Sequence, residues 1–396
     1  MQVWQKFKQE WQRSVCITPN NLLYDRSLLW LFVVLILIGL IMVTSASIPV
    51  GVKNFHDPFY FAKRDMAYAC VSFFIFYYTV RIPMERWEKW HVKIFIIAIV
   101  LLFLVLMPGI GKAVYGAKRW IGIGGINFQP AEFAKFALIC FLSSYFHRHY
   151  NEVRDKKLSA GKPFIVMAIL SAVLLLQPDF GSTVMLFAIT FGLLFIVGAR
   201  KRQFVVLSII AVLLGAWLII TASYRLKRFT GFLDPFKDPY GTGFQLTNSL
   251  MAFGRGEITG EGLGNSIQKL QYLPEAHTDF VMAIAGEELG LIGIIVIISL
   301  LGLLVMRALK IGKESLLLEQ RFKGFFAFGI AFQILGQGFI NLGVTLGMLP
   351  TKGLTFPLIS YGGSSLVMMA ISIAILLRID HENRLMRGGQ AHLKDS

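Results

Sequence analysis

A chain of 396 residues that is 55% hydrophobic and 16% charged, with a mean hydropathy of +0.63, is too apolar for a water-soluble globular domain. The formal net charge of +16 does not mark a nucleic-acid binder, because the cations are scattered singly and in small clusters between apolar stretches. The three cysteines, Cys16, Cys70 and Cys140, show no CxxC pairing, so no disulfide framework follows.

In chain order, residues 1–27 come first, with Val3, Trp4, Phe7 and Trp11 set against Lys6, Lys8 and Arg13. This amphipathic pattern predicts a segment lying along the cytoplasmic membrane surface, and it has no small-residue cleavage site. About ten apolar segments then follow, each able to cross a hydrocarbon core once flanking residues are added. They cover 28–46, 66–80, 94–107, 133–146, 164–176, 182–197, 204–220, 280–305, 325–346 and 358–377. The expected fold is an all-α polytopic membrane protein. Its membrane domain covers 28–378, with a large extracytoplasmic loop between helices 7 and 8 (about 221–279) and a cytoplasmic tail at 379–396.

Lys and Arg bias orients the chain, because cationic short loops stay in the cytoplasm. The connections carrying Arg81/Arg86/Lys89/Lys93, Arg148/Arg154/Lys156/Lys157/Lys162, Arg200/Lys201/Arg202 and Arg307/Lys310/Lys313/Arg321/Lys323 alternate with poorer ones. Both termini fall on the cationic side and are expected in the cytoplasm, which leaves the long loop and its chemistry outside.

On that outer face Lys118, Arg119 and Trp120 follow a run of glycines. Cations suit phosphate oxygens and a Trp suits a sugar face or the headgroup layer. Glu132 and Lys135, at i and i+3, read as an ion pair at the start of the fourth span. The long loop carries Asp234 to Gln245, five glycines between Gly254 and Gly264, and Gln271-Tyr272-Leu273-Pro274-Glu275-Ala276-His277-Thr278-Asp279-Phe280. No GxxxxGK[ST] or strand-borne GxGxxG supports nucleotide binding.

Asp279 stands where the loop meets the next span. Its residue type and position leave two readings open, a helix N-cap formed by Thr278 or Asp279 and a functional interfacial carboxylate. Glu287 and Glu288, one or two turns on, need a partner or an aqueous pocket. Lys352 is the cation of the last outer loop. The Ser360-Tyr361-Gly362-Gly363-Ser364-Ser365 run after it fits either close helix packing or a broken helix.

Several blocks resemble the SEDS (shape, elongation, division, sporulation) family: Lys118-Arg119-Trp120, Gln129 to Lys135, Gln177-Pro178-Asp179-Phe180-Gly181, Leu273-Pro274-Glu275 through Phe280, and Asn341 to Ser365. Glu275 to Asp279 and the N-terminal extension look more like the family's division branch than its elongation branch. The resemblance implies an inner-membrane peptidoglycan glycosyltransferase at the division septum. It would join lipid II into glycan strands, release undecaprenyl pyrophosphate, and work with a class B penicillin-binding transpeptidase and other divisome proteins. It places the essential aspartate at Asp279, as catalytic base or as ligand of a divalent cation, Mg2+ or Mn2+. The expected substrate-binding residues are Lys118, Arg119, Trp120, Lys352, Gln245 and Ser364, and the supporting residues are Glu132, Lys135, Glu275, His277 and Glu288. A lipid II flippase and a non-catalytic scaffold recruiting the transpeptidase are the alternative classes.

Overall fold

The computed structural model describes residues 24–114, 117–123, 126–155, 161–221, 223–350 and 353–394. Residues 1–23 of the expected surface segment 1–27 and Lys352 lie outside the described residues, and Arg26 and Ser27 at the end of that segment already belong to the first helix. The helices are α1 (Arg26–Phe55), α2 (Tyr60–Thr79), α3 (Met84–Leu106), α4 (Pro130–Arg148), α5 (Tyr150–Asp155), α6 (Gly161–Leu176), α7 (Phe180–Val197) and α8 (Lys201–Ile220), followed by α9 (Ser223–Leu233), α10 (Phe244–Gly256), α11 (Val281–Leu317), α12 (Arg321–Thr345) and α13 (Gly363–Lys394). Each apolar segment of the sequence falls on one of α1–α4, α6–α8 and α11–α13. Six of these, α1, α3, α7, α11, α12 and α13, are long and apolar enough to cross a membrane, and the protein is a membrane protein on that ground. Their outward faces carry large exposed apolar side chains such as Leu37 on α1, Ile97 on α3 and Phe339 on α12, as lipid-facing helices require.

Three features depart from the expected all-helical plan. Residues 111–128 form a small antiparallel sheet of β1 (Gly111–Val114), β2 (Ala117–Ile123) and β3 (Ile126–Phe128), in the order β1-β2-β3. The Ile121-Gly122-Ile123 and Ile126-Asn127-Phe128 alternation at period 2 is the signal for it, in strands too short to stand out beside membrane helices. The long segment expected to be an extracytoplasmic loop, about 221–279, holds two helices of its own, α9 and α10. The last helix runs unbroken past 378, the expected start of the tail, to Lys394.

Side-chain bonds gather the connections at two opposite ends. At one end Ser364 Oγ accepts from Gln129 N (2.9 Å) and donates to the Asn127 carbonyl (3.3 Å), joining the sheet to the start of α13. Tyr361 N bonds the His277 carbonyl at 3.0 Å at the same end. At the other end Glu382 on α13 accepts from Lys323 on α12 (2.9 Å) and from the Met84 amide of α3 (3.1 Å). There too Asp25, which caps α1 by accepting from Ser27 and Leu28 amides, sits 3.6 Å from Arg307.

Helix α11 is two helices meeting at Gly290, whose φ of 65° and ψ of −168° break the ladder. The opened carbonyls do not go unpaired: Glu261 N bonds the Glu287 carbonyl and Gly262 N the Glu288 carbonyl, while Leu291 and Ile292 donate to Glu257 and Ile258. A Cβ at Gly290 would stand 2.4 Å from Gly260 N, so only glycine admits this backbone pairing. The break lies inside an apolar run, where sequence gives no sign of it.

Candidate active site

Asp279 is held by main-chain geometry rather than by its own side chain. The Glu275 carbonyl, in a residue with φ of +57°, accepts from the Thr278 and Phe280 amides and closes a tight turn before α11. Thr278 Oγ1 ties the same turn by donating to the Glu275 carboxylate at 2.6 Å. Asn341 Nδ2 donates to the Asp279 carbonyl (2.8 Å) and to the Leu354 carbonyl (2.6 Å), fastening this turn to the segment before α13. Position 353 then runs so close that a methyl on Gly353 would come to 2.5 Å from Asp279 Oδ2.

The helix-cap reading of Asp279 and Thr278 fails. The N-cap position of α11 is Phe280, with no side-chain cap bond, and Thr278 spends its hydroxyl on Glu275. No described residue donates a hydrogen bond to the Asp279 carboxylate. Burial and, second, the charge of Glu275 push its pKa up to about 7, against the opposing pull of Arg119 and Arg228; Asp179 adds a smaller upward push. A helix N-terminus lowers the pKa of a carboxylate that bonds its amides, but the Asp279 carboxylate accepts from none of the described α11 amides.

Arg119 is a fixed cation. Its Nε donates to the Gln177 carbonyl at 3.3 Å and Nη2 to the Pro178 carbonyl, so the loop before α7 aims the guanidinium. Asp179 in that loop caps α7 through Ser182 N (3.2 Å) and Ser182 Oγ (2.6 Å). β2 bulges here, with Trp120 opposite Lys112 and Lys118 opposite Ala113, so Arg119 is the extra residue and bonds the loop before α7 without its neighbour Lys118, which divides the expected Lys-Arg pair. Lys118 is exposed and Trp120 half-buried. Arg228, on α9, takes the place of the second cation near Asp279; it is one of three cations in Arg225-Leu226-Lys227-Arg228, and nothing in the sequence singled it out.

The other expected residues fall in different surroundings. Gln245 is half-buried on α10. Ser364 is 6% exposed and spends its hydroxyl on the Gln129–Asn127 link, a structural tie rather than an open substrate contact. His277 is buried between Phe61 (centroids 4.5 Å apart) and Tyr361 (5.6 Å), and burial lowers its pKa against the pull of Glu275. The glycine pair at 362 and 363 lies at the start of α13, not inside a span, and Gly363 packs on the Tyr68 ring.

Glu132 and Lys135 form the expected ion pair at 2.8 Å, fully enclosed, with Lys135 also donating to Gln337 at 3.1 Å. Gln337 continues to Thr355 (3.1 Å) and Thr355 to Ser365 (3.0 Å), a chain that ties α4, α12 and α13 together below the site. Glu288 accepts from Lys269 (2.7 Å) and from Ser45 (2.7 Å), while Glu287 accepts from Arg255, Ser266 and the amides of Ile267 and Gln268. These two carboxylates lock residues 255–269 and α1 onto α11, a supporting role.

Residues 26–385 match the sequence family described as a cell cycle protein, FtsW/RodA/SpoVE. The chain belongs to this family. It is similar to a probable peptidoglycan glycosyltransferase FtsW of Pasteurella multocida, 69% identical over 390 residues and 98% of both chains. A counterpart from Haemophilus influenzae is 65% identical over the whole of both chains. Among solved structures, a chain from a peptidoglycan synthase complex, studied for its coordination of polymerization and crosslinking, superposes with a TM-score of 0.72. Its identity is 25%, with coverage of 91% of this chain and 98% of that one. The rod shape determining protein RodA of Thermus thermophilus shares the fold, with a TM-score of 0.66, 24% identity, and 92% and 99% coverage. Membership of this family fits a site at one end of the helix bundle, where the turn before α11, the segment at Gly353 and the Arg119 strand meet.

Proposed function

We propose that this protein is a peptidoglycan glycosyltransferase that polymerises lipid II into glycan strands at the division septum, with Asp279 as the catalytic base. The observation that carries the reading is a carboxylate with no hydrogen-bond donor among the described residues, a pKa near 7, and two arginines within electrostatic reach, at the end of the large outer segment. The full-length likeness to peptidoglycan glycosyltransferases supports the reaction class.

The donor carries its sugar on a pyrophosphate, so no nucleotide is needed outside the membrane. The acceptor hydroxyl attacks the donor's anomeric carbon, the carbon–oxygen bond to pyrophosphate breaks, and the hydroxyl proton passes to Asp279. Arg119, rigidly aimed by two carbonyls, and Arg228 offset the charge that grows on the departing pyrophosphate. Lys352 and Lys118 would add to the same field at longer range. No group of three metal-ligating side chains exists among the described residues. A divalent cation would therefore be shared between Asp279 and the substrate's own phosphates, the usual arrangement for Mg2+.

Ten crossings with both termini in the cytoplasm are the topology proposed, supported by the ten apolar helices and the cationic end that holds Arg307, Lys323 and Arg378. A class B transpeptidase is the expected partner, in keeping with the synthase complex among the structural relatives. Placement of the site residues at one end favours surface chemistry over the alternating access of a flippase.

The test is glycan-strand synthesis from labelled lipid II by purified protein with its transpeptidase partner, with and without chelator. Asp279→Asn is expected to lose activity by about a thousandfold, the upper part of the range for a general base, while the protein still folds. Full polymerase activity in that variant would remove Asp279 from the mechanism. A loss on chelation restored by Mg2+ or Mn2+ would assign the cation-binding role.

A further inference from the structure

A second carboxylate stands unpartnered at the outer end of the molecule. Asp65, in the second turn of α2, is 4% exposed, and no hydrogen bond or ion pair reaches it from any described residue. It shares the inward face of α2 with Ala69 and Ser72, turned toward the rest of the bundle. Buried carboxylates in stable proteins are normally satisfied, as Glu287 and Glu288 are here, so one left open costs folding free energy that some other use must offset.

Its surroundings are aromatic and polar. Arg64 beside it donates to the hydroxyls of Tyr60 (2.8 Å) and Tyr68 (3.2 Å). Tyr361 lies within electrostatic reach of Asp65, Arg64 and Tyr68, and its ring meets that of Phe61 edge-on at 5.3 Å. His277 completes the cluster with a buried Nδ1 that has no partner. Two residues after His277 comes Asp279, so the cluster adjoins the catalytic turn directly, and the Tyr361 amide bond to the His277 carbonyl joins the two.

We infer that Asp65, with the Phe61, His277 and Tyr361 rings, forms a sugar-binding subsite that holds an N-acetylated pyranose of the lipid-linked substrate beside Asp279. A carboxylate can accept from two neighbouring hydroxyls or from a hydroxyl and an amide N–H, and aromatic rings suit the C–H face of a pyranose. This combination recognises carbohydrate and offers nothing specific to a bare pyrophosphate, which belongs with Arg119. The inference rests on the glycosyltransferase reading but is tested by binding rather than turnover.

The experiment is equilibrium binding of lipid II carrying a fluorophore on its peptide to the full chain in nanodiscs, for wild type, Asp65→Asn, Asp65→Leu and Asp279→Asn, with thermal unfolding of each. Asp65→Leu is expected to bind about tenfold more weakly and Asp65→Asn severalfold more weakly, the loss of one or two hydrogen bonds. Both should unfold at the same or a higher temperature than wild type, because an unsatisfied buried charge has gone. Undecaprenyl pyrophosphate, used as a sugar-free competitor, should bind wild type and both Asp65 variants alike. Unchanged lipid II affinity in both Asp65 variants would overturn the subsite, as would equal weakening toward the sugar-free lipid, or a lowered unfolding temperature with affinity intact. Asp279→Asn that binds normally but retains full polymerase activity would sink the base assignment and leave the subsite standing.

Discussion

Two acidic groups less than ten residues apart on one continuous stretch of chain have opposite fates. Glu287 and Glu288 are enclosed and fully engaged by Lys269, Ser45, Arg255, Ser266 and two backbone amides. Asp279 has no donor, and its turn is held instead by Asn341 and the Glu275 carbonyl. The difference separates a carboxylate that builds the scaffold from one kept open for a substrate: the first kind answers to stability, the second to pH and rate.

That contrast can be attacked from the stability side first, where the effect is largest. Glu288→Ala strands the Lys269 ammonium in a buried position and should lower unfolding free energy by about 3–5 kcal/mol, with the polymerase rate per folded molecule changed far less. Replacing Glu288 and Lys269 together by Met should recover most of that loss, measured by denaturation in detergent. A rate collapse with stability intact would instead move Glu288 into the chemistry.

A smaller effect is expected at the cation. Arg119→Ala should slow single-turnover polymerisation by about a hundredfold, close to 3 kcal/mol of transition-state stabilisation, while Lys118→Ala, at an exposed side chain, should change it by less than about threefold. Equal losses in the two variants would contradict that division of roles.

Much of this was legible in the sequence and some was not, for identifiable reasons. Apolar runs near the length of a bilayer announce the helices, and Asp279 was visible because it sits where charge gives way to such a run. The Glu132–Lys135 pair was readable from local spacing. Its bond to Gln337, some two hundred residues away, was not, nor was the approach of Arg228 and Gly353 to Asp279, since only folding brings those elements together. The Gly290 break and the three-stranded sheet escaped notice because glycine within an apolar span and strands of three to seven residues look like ordinary helix and loop. Asp65 looked like one more charge at a loop edge until its burial without a partner set it apart.

The most direct test of the open carboxylate is the pH dependence of kcat/KM for glycan synthesis, measured with lipid II well below saturation so that it reports the free protein. Because the base must be ionised and its pKa is raised, activity should climb with pH through a midpoint near 7, falling about tenfold per unit on the acid side, and the limb should vanish in Asp279→Asn. A rate already constant from pH 5 upward, as an ordinary solvated aspartate would give, would contradict the account.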